Sequence, residues 1–123
     1  MKHNRIDFRA EFTIEEGKIE EYKELVQDMS RAVEANEPDT IDYQFYLNRD
    51  DETKFIVHET YANSEAVLAH NRSVASQTIL PKIFSISRIS RFDVYGNPSE
   101  ELRKVLTSFS PQFYNLFAGF SRC

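Results

Sequence analysis

Between Arg5 and Ile14 every second residue is apolar. Ile6, Phe8, Ala10, Phe12 and Ile14 point one way, and Arg5, Asp7, Arg9, Glu11 and Thr13 the other. Alternation of this length marks a strand buried on one face, because successive side chains of a strand leave opposite sides of the sheet. Such a strand needs a cover on its apolar side, and the next segment can supply one. After a turn at Gly17, residues 18–36 place Ile19, Tyr22, Leu25, Val26, Met29, Ala32 and Val33 at helical spacing, with Glu20, Glu21, Lys23, Glu24, Asp28 and Arg31 on the solvated side. Pro38 fixes the stop, since its ring cannot continue a helix.

The same two periods recur further along. Ile41, Tyr43, Phe45 and Leu47 alternate with Asp42, Gln44, Tyr46 and Asn48, a polar turn occupies residues 48–52, and residues 54–61 form the next strand. The pair reads as an antiparallel hairpin. Asn63 or Ser64 caps a second helix running to Asn71, and a looser helical stretch over residues 74–84 is kinked or ended by Pro81. Residues 87–95 form a fourth strand with Phe92 and Val94 on one face. Strand, helix, strand, strand, helix, strand predicts an α+β, ferredoxin-like βαββαβ sandwich with an antiparallel sheet. Its helices cover one side, which leaves the second open to water or to a partner.

A further helix is expected from Asn97-Pro98-Ser99-Glu100, with Asn97 as N-cap, Pro98 at the first helical position and Glu100 completing a capping box. Leu102, Val105, Leu106 and Phe109 give it one apolar side, and Pro111 ends it. Phe113, Tyr114, Leu116, Phe117 and Phe120 then predict a final strand or extended segment. The expected division is an α+β domain over residues 1–96, then a helix-and-strand extension over 97–123 packed on that domain or on a dimer partner.

Composition narrows the function. At 123 residues the chain suits one domain, and ten Phe and six Tyr exclude a disordered chain. Fifteen Lys and Arg against 20 Asp and Glu leave a net charge of −5. There is no basic stripe to collect phosphates, so no nucleic-acid partner is expected. No apolar run is long enough for a membrane span. With three glycines there is no Gly-rich phosphate loop, and neither CxxC nor HExxH occurs, so neither cofactor nor metal is expected. The single cysteine, Cys123, builds no disulfide framework and is expected to be a free thiol. The opening Met1-Lys2-His3-Asn4-Arg5 has no signal-like apolar stretch behind it, and the expected location is cytoplasmic.

Residues 55–71 read FIVHETYANSEAVLAHN: a strand ending in Glu-x-Tyr, a capped short helix with Glu-Ala, and a His five positions after that Glu. Together with Glu15-Glu16-Gly17-Lys18 leading into an amphipathic helix, and Asp93-Val94-Tyr95 before a turn, this order resembles the antibiotic biosynthesis monooxygenase family over residues 5–96. The resemblance implies a dimeric α+β barrel, in which the open sheet faces of two subunits close on each other. It also implies cofactor-independent oxygenation of a quinol or related aromatic small molecule. Haem-cleaving relatives use a pocket Trp and a His ligand soon after the short helix. This chain has no Trp and places Val74, Ala75 and Ser76 there, which argues against haem cleavage; the same region lacks the second His of many quinol-oxidising relatives. Two alternatives stand beside oxygenation: a non-catalytic small-molecule-binding or stress-response dimer, and a metabolite isomerase.

Four residues are candidates for catalysis. His70 titrates near neutrality and suits a general base; its other reading is a polar residue at the exposed end of a short helix. Asn71 could hold a substrate oxygen or simply end the helix. Glu59 shares a strand face with Phe55, Val57 and Tyr61, so it is either an acid–base group of raised pKa or half of an ion pair with Arg88 or Arg91. Tyr61 could donate to an oxyanion, or pack in the core or an interface. Phe8, Phe12, Phe45 and Phe92 are core by default, some of them lining a pocket as well.

Overall fold

In the computed structural model, which describes residues 4–122, strand β1 (Ile6–Ile14) is the middle of the sheet. It pairs antiparallel with β3 (Lys54–Tyr61) on one side and β4 (Ser87–Tyr95) on the other. Strand β2 (Thr40–Leu47) forms the hairpin with β3. The order β2-β3-β1-β4 is that of the expected sandwich, and β5 (Gln112–Tyr114) adds a fifth strand beside β4. That last pairing is parallel, so the sheet is mixed rather than wholly antiparallel. The cause is the connection: the chain leaves β4, crosses through a helix and returns in the same direction, as a parallel neighbour requires. Cys123, expected to be a free thiol, lies outside the described residues.

Alternate residues of β1 are buried from end to end and form one cluster with Tyr22, Val26, Met29 and Val33 of α1 (Ile19–Asn36). Asn63 caps α2 (Ser64–Arg72), its side chain accepting from the Ala66 N–H at 2.9 Å. The looser stretch resolves into α3 (Val74–Thr78) and α4 (Leu80–Ser85). Pro81 sits in the first turn of α4, so it starts a helix instead of ending one; a missing N–H costs nothing there. Helix α5 (Glu100–Leu106) is capped by Ser99, whose Oγ accepts from the Leu102 N–H at 3.1 Å, and not by Asn97. Asn97 instead accepts from Arg103 at 2.9 Å. Leu102 and Leu106 carry the extension into the core cluster. Among the described residues no helix is long and apolar enough to cross a membrane.

Two local details shape the core side of the sheet. The β1–β4 register breaks between Glu11, opposite Arg91, and Phe12, opposite Ile89, which leaves Ser90 as a bulge. One extra residue lets Ile89 face inward together with Phe92 and Val94, although 89 and 92 differ by an odd step. At the end of β4, Gly96 has φ +117° and its N–H donates to the Tyr114 carbonyl at 3.0 Å. A Cβ there would stand 2.6 Å from the Arg5 carbonyl oxygen, so only glycine fits.

The opposite face of the sheet is polar. Arg9 bonds Glu11 at 2.6 Å, Thr60 donates to Asp7 at 2.6 Å, and Arg91 Nε donates to both oxygens of Asp93 at 3.1 and 3.0 Å. Arg91 also donates to the Tyr114 hydroxyl at 3.1 Å, which ties β5 to this face. Beyond β5 the body does not cover the apolar tail: Leu116, Phe117 and Phe120 are 80%, 99% and 79% exposed.

Candidate active site

Pairing places Glu59 on the core face of the sheet, opposite Phe8 of β1 and Tyr43 of β2. It is a carboxylate in a row that is otherwise apolar. Tyr61, two residues on, shares that face and donates its hydroxyl hydrogen to Glu59 Oε1. The cap at Asn63 fixes where α2 starts, and that phase turns Ala66, Val67 and His70 inward. His70 is 4% exposed, with its ring between those of Tyr43 and Tyr61 at centroid distances of 5.4 and 5.6 Å. Its Nδ1 lies 2.9 and 3.1 Å from the two carboxylate oxygens of Glu37. Glu37 caps the C-terminal end of α1 and is itself steadied by Thr40, whose hydroxyl donates to it at 2.8 Å.

These groups meet at a cavity of about 90 Å³ between the sheet and the short helices. Tyr43, Glu59, His70 and Asn71 supply its polar wall, and the remainder is aromatic and aliphatic. Burial is the largest influence on Tyr43, Glu59, Tyr61 and His70. It pushes the Glu59 carboxyl up from its ordinary range, and the positive field of His70 and the Tyr61 hydrogen bond only partly offset this. For His70 burial alone would lower the pKa. The hydrogen bond that His70 donates to Glu37 and the charges of Glu59 and Glu37 outweigh it, and the net shift is upward. Tyr43 and Tyr61 are raised well above ordinary phenols by burial and by Glu59, so both stay neutral hydrogen-bond donors. Among the described residues no group of three His, Cys, Asp or Glu side chains is arranged as metal ligands.

Three of the four sequence candidates, Glu59, His70 and Asn71, thus line one cavity. Tyr61 does not line it and its hydroxyl is engaged by Glu59. The ion pair considered for Glu59 is not formed: Arg91 bonds Asp93 on the other face, and Arg88 stands opposite Thr13 there. The exposed helix end considered for His70 is also corrected, since the ring is buried. Sequence reasoning missed Glu37 and Tyr43. Tyr43 carried a signal, its place in the alternating row of β2. Glu37 carried none, because it is 33 residues from His70 and only the return of α1 to the sheet brings them together.

The family model for antibiotic biosynthesis monooxygenases matches residues 8–82, from β1 into α4. No curated protein matches the chain in sequence. Among solved structures, MupZ from Pseudomonas fluorescens has a TM-score of 0.82 at 26% identity, with 97% of this chain and 95% of MupZ covered. A Caulobacter crescentus CB15 protein placed among the antibiotic biosynthesis monooxygenases gives 0.69 at 19% identity, covering 79% of this chain and 92% of its own. A conserved protein from Methanosarcina mazei Go1 gives 0.67 at 17% identity, covering 77% and 94%. The last two share the fold. With β2-β3-β1-β4 as its core sheet and a family match over more than half its length, this chain belongs to the antibiotic biosynthesis monooxygenase family.

Proposed function

We propose that the chain is a monooxygenase that deprotonates a quinol or related aromatic small molecule and lets the resulting anion react directly with dioxygen. One observation carries this reading: an imidazole braced by a carboxylate and a second carboxyl of raised pKa converge on a cavity otherwise walled by rings and aliphatic groups. With Nδ1 of His70 held by Glu37, Nε2 is the nitrogen left to take a phenolic proton. Tyr43, whose phenol is neutral and lines the cavity, suits the oxyanion-donor role first considered for Tyr61, and Asn71 offers a second amide donor. Glu59, protonated, can return a proton to the reduced oxygen.

The reaction balances without another reductant. A quinol with one unsubstituted ring carbon and one dioxygen give a hydroxyquinone and one water; a C–O bond forms, the O–O bond breaks, and all four electrons come from the substrate. Both hydrogens of the water originate in the quinol and pass through His70 and Glu59. No metal or flavin is needed in this scheme. Chelator-treated, flavin-free protein is expected to consume oxygen faster than buffer with benzene-1,4-diol or naphthalene-1,4-diol, and to place one atom from labelled dioxygen in the product. Absence of protein-dependent uptake across such quinols, from folded protein, overturns the reading. The same acid–base pair could move a proton without oxygen, as an isomerase does; turnover that persists anaerobically would assign that reaction instead.

We also propose that two copies close on each other through the polar sheet face. Its charges are already paired within the chain, so covering it strands few of them, and the apolar tail beside it lacks a cover. Light scattering is expected to give twice the chain mass. Arg9→Glu sets a like charge beside Glu11 and Asp93 and is expected to shift the mass toward one chain; a single-chain mass for the unaltered protein ends the proposal.

A further inference from the structure

The cavity as it stands is too small for its proposed guest. At about 90 Å³ it falls short of the space a single aromatic ring needs. An engineered apolar cavity that takes up benzene measures roughly 150 Å³. A bound ring must therefore displace part of the wall, and the buried part of it has nowhere to go. Phe8, Phe12, Phe92 and Leu106 are buried and interlocked with the core. Tyr43, Phe45, Glu59, Asn71, Leu80 and Ile89 are half-buried, and the most exposed side chains of the lining are Phe84 at 37% and Phe109 at 39%.

These two rings touch each other and the fixed ones. Phe84 lies parallel to Phe12, 10° between planes and 6.2 Å between centroids. Phe109 is 6.0 Å from Phe84 and meets Phe92 edge-on at 6.0 Å. Phe109 belongs to a single 3₁₀ turn, Thr107–Phe109, between α5 and β5, outside the region the family model matches. The turn is held at both ends, by Leu102 and Leu106 in the core and by the pairing of Gln112 with Asp93. It reverses at Ser110, which has φ 52° and is the one non-glycine residue with left-handed backbone among those described. Phe109 also lines a second hollow, of about 240 Å³, between this turn and β4. Phe92 borders the same hollow but is buried in the core, whereas the half-exposed Phe109 ring has room to turn into it.

We infer that Phe109, contributed by the C-terminal extension, is the specificity residue of the cavity: with Phe84 it forms a movable wall that sets how many fused rings can enter. The inference rests on the cavity being the substrate site. Its test therefore uses binding, not turnover. Phenol, 2-naphthol and 9-phenanthrol, one to three fused rings, are titrated calorimetrically into the whole protein. Wild-type protein is expected to bind all three. Phe109→Ala should improve 9-phenanthrol relative to phenol at least tenfold, and Phe109→Trp should reverse that preference. Should the alanine variant fold poorly, Phe109→Leu reports the same trend at lower amplitude, with thermal melting to show that each variant is folded. An unchanged three-ring to one-ring ratio in folded variants overturns the role of Phe109 while leaving the cavity as a phenol site. Failure of wild-type protein to bind any of the three overturns both this inference and the proposed function.

Discussion

His70→Asn is expected to lower kcat/KM for quinol oxidation by about 10²–10⁴-fold, the range for loss of a positioned general base, with the chain still folded. Asn keeps a polar side chain of similar reach beside Glu37 but cannot take up a proton. The pH profile tests the assignment more sharply. A base must be neutral to act, and His70 is held above the ordinary imidazole value of about 6.5, so activity should rise with pH through a point above that value. Glu37→Gln removes a charge and weakens the hydrogen bond that raises His70. Burial, the largest single influence and a lowering one, then dominates, and the activity limb should move toward acid. The stability sign follows from the same shift. A raised imidazole stabilises the fold fully below its unfolded pKa, and that contribution disappears as pH rises through the folded one. Glu37→Gln should therefore cost stability at acid and neutral pH and little at alkaline pH. A limb that does not move would mean that Glu37 only props α2 against α1.

The parts of the fold that were legible are those written in short-range periodicity. The row Ile6 to Ile14 fixes both the strand and its buried face, and the stripe from Ile19 to Val33 fixes α1. Glu59 was legible as an oddity, a charge in an apolar row. What escaped were features whose cause lies across the molecule. Nothing local marks Ser90 as a bulge, because the break appears only when β4 is laid against β1. The Asn97-Pro98-Ser99 sequence offers two caps, and Ser64 decides between them by accepting the Ser99 N–H at 2.9 Å, a contact across 35 residues. The pairing of Glu37 with His70 is the same kind of fact, and so is the parallel course of β5. Helix α5 illustrates a mixed case: Leu102 and Leu106 were readable as its apolar side, yet Phe109 leaves that helix for a turn at the mouth of the cavity.

Glu59→Gln separates what the fold wants from what the chemistry needs. The amide still accepts from Tyr61 and fills the same space, but it cannot lend a proton, so turnover is expected to fall by about 10²-fold or more. Stability should move the other way. The wild-type carboxyl is raised by burial, so the folded state holds its proton more tightly than the unfolded chain does. Such a group stabilises most below the ordinary carboxyl range, and that advantage is lost as pH climbs through the raised folded value. Gln does not titrate. Melting curves of the two proteins between pH 4 and pH 9 should thus converge in acid and separate in alkali, with the variant the more stable there. Because the Glu59 charge also helps to raise His70, the variant's activity limb should shift toward acid as well, so the two groups titrate as a pair and not as independent sites. Parallel melting curves across the range would mean that Glu59 ionises freely in the fold, and an acid poised to protonate reduced oxygen would then have to be sought elsewhere in the cavity.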